Sequence, residues 1–424
     1  MKTKTLLLAS LLVAALTAQA QTVEYTDANG KSSKSINEFQ DHDLQNATTI
    51  TLSGAWDDED LSKLRLVLIQ EDYKNKQLKT ADLSAMTFSG IISNGMTELF
   101  NHCEVLSTLK MPTDASAANV HSFSETFWYC SELTEVDLSA FTGISYFDGA
   151  FGSCEKLKTV KMPAKNDCED IYGIDFSNAF EFCSELTEID LSAFTNIHDL
   201  TGIFDQCRKL TTVKMPAKNT TYMYFNYAFR GCSELRTIDI SGFTNVGSFS
   251  ATFSGCKNLT EVKMPASSES EDAYFRSTFS GCSKLTSVDL RAFTRVTDYK
   301  ETFHGCTSME EIYLGTAVIF EPENYGGSYT DTFTDCPSTC KVYLPKGVME
   351  APEAWRDAPV TFIPDGGGAG IEANGVTEAI PAISHVYSID GRLIKTVPAA
   401  EYSTLKNGLD RGIYIVNGEK MMVE

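Results

Sequence analysis

The chain of 424 residues has little of what metal sites and nucleophilic active sites are built from. It contains six histidines, and neither a His-Glu-x-x-His nor a Gly-x-Ser-x-Gly motif is present. Its twelve cysteines include no Cys-x-x-Cys pair. These absences argue against a zinc site and against a serine hydrolase. We therefore assign no catalytic residue, no metal ligand and no cofactor, and expect a protein that is not an enzyme.

Positive charge is also scarce. The sequence has 35 Lys and Arg residues against 57 Asp and Glu residues, a net charge of −22. Without the first twenty residues, which hold Lys2 and Lys4, 33 basic and 57 acidic residues remain, a net charge of −24. Such a surface repels nucleic acid and anionic membranes, so neither is an expected partner.

Only one long apolar run exists, and it lies at the amino terminus. Leu6 to Leu16 follows two lysines and precedes Ala18-Gln19-Ala20. This order is typical of a secretory signal peptide, here residues 1–20, cleaved after Ala20. No later stretch is long and apolar enough to span a bilayer, so we expect no transmembrane segment. The mature protein is expected to be secreted.

A cysteine recurs at intervals of 24 to 30 residues, and from Cys130 onwards an interval of 24 alternates with a longer one. Such a period is the signature of a repeat protein. The repeated cysteines are Cys103, Cys130, Cys154, Cys183, Cys207, Cys232, Cys256, Cys282, Cys306 and Cys336.

Each repeat carries two local patterns. Large apolar residues lie seven and three residues before the cysteine, as in Phe123 and Phe127, a spacing that predicts a helical turn. After the cysteine, apolar and polar residues alternate, as around Val136 and Leu138, which predicts a short strand. One unit cannot bury its apolar face alone, but stacked units share a core. The sequence therefore predicts a repeat solenoid of short parallel β-strands with helical turns.

The outward position of each predicted strand alternates in charge. It is occupied in turn by Asp82, Lys110, Asp137, Lys161, Asp190, Lys214, Asp239, Lys263 and Asp289, and then by Tyr313. Parallel neighbours lie about 4.8 Å apart, so each charge is expected beside charges of opposite sign. The building block is then a pair of units, about 50 residues long. We interpret the row as a device that fixes strand register; a ligand-binding surface is the alternative interpretation.

The repeated cysteines admit several interpretations. Equivalent thiols one unit apart do not form the local clusters that metals require. Disulfides are open to an exported chain, but equivalent side chains in a stack point in parallel, which is poor geometry for a bridge. We favour a ladder of buried thiols. Cys336 and Cys340 are the pair that could be bridged, and Cys168 is the candidate reactive thiol.

The longer units carry their extra residues at one place, directly after the predicted strand. Because every insert follows the same strand, all are expected at one edge of the solenoid, where insertions often form a binding surface. Loops that merely tolerate changes of length are the alternative. The candidate binding residues at this edge are Asp167, Tyr172, Tyr222, Tyr224, Tyr227 and Tyr274.

The repeat motif Phe-x-x-Cys-x-x-Leu-x-x-[Val/Ile]-x-[Leu/Met]-[Pro/Ser], as in FGSCEKLKTVKMP and FEFCSELTEIDLS, resembles the BspA-like leucine-rich repeat family of secreted bacterial proteins. The resemblance covers residues 81–364, in ten copies. It implies adhesion to host or bacterial surface proteins or glycans. A periplasmic or outer-membrane scaffold without a host ligand is the alternative, and an enzyme would need residues that break the repeat.

The flanking segments complete the predicted organisation. Residues 21–80 are expected to form an amino-terminal segment with a capping helix near Trp56 to Glu71. Residues 365–375 are a Gly-rich linker, and residues 376–424 carry the hairpin signals of a small all-β module. This tail, with VYSIDGRLIKTV and the closing EKMMVE, resembles the sorting domain of the type IX secretion system. The resemblance implies the secretion machinery as a partner and the cell surface or outer membrane as the location.

Overall fold

The computed structural model describes residues 21–68, 77–167, 173–265, 273–315, 329–345 and 348–364, together with the backbone of four strands between residues 383 and 423. The chain divides into two compact units, Met1–Asp365 and Gly366–Glu424. Among the described residues, no helix has the length and apolar character needed to cross a membrane.

The first unit begins with four longer strands and one helix. The strands are β1 (Thr22–Asp27), β2 (Gly30–Ser35), β3 (Thr49–Trp56) and β4 (Thr80–Phe88), and the helix is α1 (Asp58–Leu68). β1 pairs antiparallel with β2 and β3, and β3 pairs parallel with β4. Three acidic residues in the first turn of α1 interact favourably with the positive, amino-terminal end of the helix dipole. The helix covers the amino-terminal end of the solenoid, where Asp58 Oδ1 accepts hydrogen bonds from the backbone of Asn94 and Gly95.

The first row of short strands carries the charged positions. Its members are β5 (Thr108–Lys110), β6 (Glu135–Asp137), β7 (Thr159–Lys161), β9 (Glu188–Asp190), β11 (Thr212–Lys214), β13 (Thr237–Asp239), β15 (Glu261–Lys263), β17 (Ser287–Asp289), β19 (Glu311–Tyr313), β20 (Lys341–Tyr343) and β21 (Thr361–Ile363). The pairing is parallel, as predicted. β6 with β7, β9 with β11, and β13 with β15 form separate two-stranded ladders, and β17, β19, β20 and β21 form one sheet. The coils are thus joined in pairs.

A second row of strands was not predicted. It consists of β8 (Ile174–Asp175), β10 (Ile197–Asp199), β12 (Met223–Tyr224), β14 (Val246–Ser248), β16 (Ala273–Tyr274) and β18 (Val296–Asp298). These strands form one parallel six-stranded sheet in the order β18-β16-β14-β12-β10-β8. The pairing skips one residue in every second coil, as at Gly247 between Met223↔Val246 and Tyr224↔Ser248. A search for strict alternation of apolar and polar residues misses these strands, because the bulge adds one residue to the pattern.

The segments predicted as helical turns are successions of tight turns instead. Backbone N–H groups alternate between a carbonyl three residues earlier, as from Thr126 to Phe123, and a carbonyl of the next coil, as from Phe127 to Ala150. The residues five and one before each repeated cysteine have positive φ, for example Glu125 at 49° and Tyr129 at 61°. These left-handed residues prevent a helix from continuing beyond one turn, and they direct every second N–H towards the neighbouring coil. Parallel strands and turns build about eleven coils of a leucine-rich repeat solenoid.

The core is a stack of equivalent side chains. The phenylalanines three residues before the cysteines form a continuous column with ring centroids 5.2–5.8 Å apart. It comprises Phe100, Phe127, Phe151, Phe180, Phe204, Phe229, Phe253, Phe279, Phe303 and Phe333. Trp355 closes the carboxy-terminal end, with its ring 5.1 Å from that of Phe333.

The cysteines lie inside this core as free thiols. The Sγ–H of each repeated cysteine from Cys130 to Cys336 donates to the backbone carbonyl of a core phenylalanine in the preceding coil, at 3.0–3.2 Å. Cys336 and Cys340, the pair considered for a bridge, are also free and buried. Cys168 lies outside the described residues. Among the described residues the thiols therefore act as small buried side chains that link adjacent coils.

The second unit contains β22 (Ile383–Ser388), β23 (Leu393–Pro398), β24 (Gly412–Val416) and β25 (Glu419–Val423). They form an antiparallel sheet in the order β23-β22-β24-β25.

Candidate binding surface

Four of the predicted binding residues are exposed on or beside the second row of strands. The exposed fractions of Tyr222, Tyr224, Tyr227 and Tyr274 are 47%, 42%, 42% and 43%. We call these four side chains the tyrosine patch. Tyr224 and Tyr274 lie in β12 and β16, Tyr222 directly precedes β12, and Tyr227 lies in the turn that follows it, so the tyrosines are held by a hydrogen-bonded sheet and its turns. This placement makes the patch better ordered than a loop at a solenoid edge would be.

The sheet sets the spacing within the patch. Tyr224 of β12 pairs with Ser248 of β14, and Ser248 pairs with Tyr274 of β16. Two parallel strand spacings place the backbones of Tyr224 and Tyr274 about 9.6 Å apart. Ser248 between them is buried. The two phenols therefore stand on either side of a small polar residue.

Tyr222 extends the patch across the bulge. A Cβ atom at Gly247 would lie 2.1 Å from the Tyr222 hydroxyl, so only glycine leaves room for this ring. The Tyr222 ring meets that of Tyr224 edge to face, with centroids 5.3 Å apart. The bulge thus leaves space for the Tyr222 ring, and any side chain at Gly247 would displace that ring.

Tyr227 belongs to a charged cluster on the same surface. The Arg230 guanidinium lies over its ring, 4.7 Å from the centroid, and bonds to the Asp205 carboxylate of the preceding coil. Asp205 is buried, and its hydrogen bonds raise the pKa of Arg230 against the opposing effect of burial. This network fixes the Tyr227 ring and neutralises a buried carboxylate.

The remaining candidates fall elsewhere. Asp167 forms an ion pair with Lys165 at 2.6 Å, and this hydrogen bond lowers the pKa of Asp167. Within the described residues it makes no contact with the tyrosine patch. Tyr172 lies outside the described residues. The structure thus links Tyr222, Tyr224 and Tyr274 through a ring contact and strand pairing, with Tyr227 three residues after Tyr224.

Three exposed aromatic residues on the same side of the solenoid escaped the sequence analysis. Tyr146 pairs with Ser122 and Asp175 as a bridge at the level of the second row and is 37% exposed. Tyr129 and Phe182, each directly before a repeated cysteine, are both 43% exposed. An available signal was the aromatic residue at a position where later repeats have glycine.

The first row of strands carries the charge ladder. Lys110, Lys161, Lys214 and Lys263 bond to Asp82, Asp137, Asp190 and Asp239 at 2.7–3.3 Å. Each lysine reaches back to the coil with which its strand is paired. Among the described residues, no ion pair joins one strand pair to the next along this row, which differs from the uniform ladder expected. The alternation thus fixes strand pairs.

A shallow depression of about 1030 Å³ runs along this row from Ser84 to Lys214. Its polar rim includes the ion-paired Asp137, Lys161 and Asp190, whose charges are largely satisfied within the chain. In the described part of the chain, no group of three or more His, Cys, Asp or Glu side chains is placed to hold a metal ion. The exposed aromatic residues of the second row offer the better candidate surface.

Coils, strand rows and core define the class of the protein as a leucine-rich repeat solenoid. The family model of the BspA type leucine rich repeat region (6 copies) matches residues 74–178, 170–277 and 226–354, together more than half of the chain. The chain belongs to this family of BspA-type leucine-rich repeat proteins. Repeats of this kind typically mediate protein binding, and the family is typically non-enzymatic.

Solved structures of other leucine-rich repeat proteins are similar to the chain at low identity. A leucine-rich repeat protein from Eubacterium ventriosum is 14% identical, with 68% of this chain and 95% of that chain covered and a TM-score of 0.30. An internalin (inlF) from Listeria monocytogenes is 10% identical, with coverage of 80% and 88% and a TM-score of 0.29.

A plant peptide hormone receptor, RGFR1 in complex with RGF2, is 14% identical over 69% of this chain, with a TM-score of 0.26. The chain spans 50% of the length of that receptor. No curated protein matches the sequence significantly.

Proposed function

We propose that the protein is exported and displayed at the cell surface, where it binds an extracellular protein or glycan through the tyrosine patch. One observation carries this proposal: Tyr222, Tyr224 and Tyr274 expose large aromatic surface from a rigid sheet. Tyrosine supplies contact area with little loss of side-chain entropy on binding, which is why it is enriched in interfaces. The solenoid core does not need these side chains, since their rings are directed to solvent.

The export part of the proposal rests on the two ends of the sequence. The segment before Gln21 has the features of a signal peptide, and the tail resembles a type IX sorting domain. The four antiparallel strands of residues 366–424 are compatible with a small sorting module. On this proposal the secretion machinery is a partner of the tail, and the solenoid is the part that faces outward.

Adhesion of cells that display the protein tests the binding part. Cells with Tyr224→Ser/Tyr274→Ser are expected to adhere less to surfaces coated with extracellular matrix proteins than cells with the wild-type chain. Met349→Ser is the matched control, because Met349 is an apolar side chain 61% exposed away from the patch. Equal adhesion of all three strains, at equal surface amounts, would contradict the assignment of the patch.

Mass spectrometry of the native ends tests the export part. Peptides released by a protease from intact cells are expected to begin at Gln21 and to end within the Gly-rich segment 366–370. A full-length species that ends at Glu424 and is protected from the protease would instead support an internal scaffold. This result is independent of the tyrosine variants, so each half of the proposal can fail alone.

A further inference from the structure

The turns and second-row positions of the amino-terminal coils carry many acidic side chains, unlike the tyrosine patch. The eight residues before each repeated cysteine from Cys103 to Cys207 together contain seven carboxylates, of which Asp205 is buried, and no lysine or arginine. We call this surface the acidic face. Its members used below are Glu98, Glu125, Asp148, Asp175, Glu181, Asp199 and Asp205, with the aromatic residues Tyr129, Tyr146 and Phe182.

Most of these carboxylates lack a cationic partner. Glu98 is paired with Arg65, and Arg230 is paired with Asp205 and also attracts Glu181, whereas the other four form no ion pair within the described part of the chain. The like charges crowd one another: burial, and then Glu98 and Asp148, raise the pKa of Glu125. A cation placed on this face would relieve that repulsion.

The carboxylates are also held in place. The backbone N–H of Ser177 donates to Asp175 at 2.8 Å, and that of Thr201 donates to Asp199 at 2.7 Å. Both bonds use Oδ1, and the second oxygen of each carboxylate has no hydrogen-bond partner among the described residues. Asp175 pairs in register with Asp199 on one side and with Tyr146 on the other. The face thus presents fixed acceptors next to an exposed ring.

Two aromatic residues on this face occupy backbone positions that disfavour them. Tyr129 and Phe182 have φ values of 61° and 59°, and both side chains are exposed. At the same position later coils carry glycine, which adopts this conformation without steric cost. Those glycines are Gly231, Gly255, Gly281 and Gly305.

The fold therefore does not require either ring. Tyr129 is supported by two neighbours: it stacks on His102 with centroids 4.7 Å apart and meets Trp128 edge to face at 5.9 Å. A strained, exposed and supported aromatic residue points to a role in contact with another molecule.

From this placement we propose that the acidic face binds an extended, arginine- or lysine-bearing segment of a partner protein. Charge complementarity selects the partner: unpaired carboxylates attract the cationic heads, and Tyr129, Tyr146 and Phe182 accept the stems and cations of the same side chains. The proposal concerns a surface separate from the tyrosine patch and does not depend on the export route.

The test uses the full chain and a fluorescein-labelled peptide of alternating Arg and Ser, about ten residues long. Fluorescence anisotropy at low salt measures its Kd, with Gln/Ser and Glu/Ser peptides as controls. Tyr129→Gly/Phe182→Gly keeps every charge and suits the left-handed backbone, so the melting temperature should be retained. Its Kd is expected to rise about tenfold, the loss of two cation–aromatic contacts.

Two double variants that remove the same number of negative charges distinguish binding at the acidic face from attraction by the net charge of the protein. Glu125→Gln/Asp148→Asn removes two charges from the acidic face, and Glu301→Gln/Asp331→Asn removes two from later coils. The first variant is expected to weaken peptide binding about tenfold and the second to change it less than twofold. Equal weakening by both would show that the peptide senses net charge alone, and would overturn the proposal.

Two further outcomes would also overturn the proposal. One is unchanged binding by Tyr129→Gly/Phe182→Gly in a protein that melts as the wild type does. The other is equal binding of the uncharged Gln/Ser peptide, which would point to an uncharged ligand such as a glycan. Tyr224→Ser/Tyr274→Ser serves as the control for the neighbouring patch and is expected to bind the Arg/Ser peptide normally. A defect of that variant in adhesion alone would leave this inference untouched.

Discussion

The guanidinium of Arg291 lies over the ring of Tyr313, 4.7 Å from its centroid, and closes the charge ladder. In earlier pairs, the aspartate of one strand receives a lysine from the next coil. In the last pair Tyr313 occupies the lysine position and stacks on Tyr343, with centroids 4.5 Å apart. Arg291, two residues after Asp289, supplies the missing cation from the same coil, with Nε at 2.9 Å from Asp289 Oδ1. Asp289 is thus neutralised locally.

We expect Arg291→Ser to destabilise the protein by about 1 kcal/mol, since it removes an ion pair and a cation–aromatic contact. Urea unfolding measures the change. Combining it with Tyr313→Lys restores the arrangement of the earlier coils, with serine after the aspartate and lysine in the next coil. The double variant should recover the ion pair at the cost of the Tyr343 stack. A single variant as stable as the wild type would show that Asp289 needs no countercharge.

Gly255→Ala is expected to destabilise the protein by about 1 kcal/mol, because φ at this residue is +79°. A Cβ there would meet its nearest atom at 3.6 Å, so the cost is conformational rather than steric. Gly255→Asn should cost less than Gly255→Ala, since asparagine tolerates the left-handed region better. The free energy of unfolding from urea titrations gives the order of the three proteins. An alanine variant as stable as the asparagine variant would contradict the argument.

The eleven described cysteines should resist alkylation in the folded protein. Burial raises the pKa of the Cys232 and Cys282 thiols well above the ordinary value, and that of Cys336 to about 12. The reactive thiolate is therefore scarce at pH 8. Peptide mapping after iodoacetamide should find these residues modified only in urea, whereas Cys168, predicted from sequence to be reactive, should label in buffer. Rapid labelling of Cys232 in the native protein would disagree with its burial.

The ladder also predicts how stability depends on pH. Hydrogen bonds from Ser241, opposed by burial and assisted by Lys263, lower the pKa of Asp239. A carboxylate with a lowered pKa stabilises the fold above its unfolded pKa, near 3.9, and this contribution disappears as the pH falls through the folded value. Since the Asp239 side chain is more than one-third exposed, its contribution is about a few tenths of a kcal/mol.

Urea midpoints at pH 6, 4 and 2.5 measure this loss. Asp239→Asn should be less stable than the wild type at pH 6 and should lose less on acidification. The difference between the two proteins should shrink at about 1 M salt, where surface charges are screened. If Asp239→Asn showed the same acid dependence as the wild type, the carboxylate would not be coupled to folding.

The solenoid was predictable because Cys, Leu and Phe recur at one spacing and none of these residues can be buried within one coil. Pairing of the coils was predictable from Asp137 and Lys161, whose opposite charges require adjacent strands. The second row was not, because the extra residue at Gly247 breaks the alternation on which strand prediction depends. The turns around Glu125 and Tyr129 were taken for helix because a four-residue spacing of phenylalanines suits both structures.

The pairing of coils also limits how such a chain can grow or shrink. Loss of a single coil, such as the one that carries Lys161, would bring Asp137 next to Asp190 and leave two carboxylates facing each other. Loss or duplication of a whole pair preserves the order of signs and shortens or lengthens the second row by two strands. The length of the solenoid is therefore free to vary in steps of about 50 residues. The exposed side chains of each step can change while its buried ones stay the same.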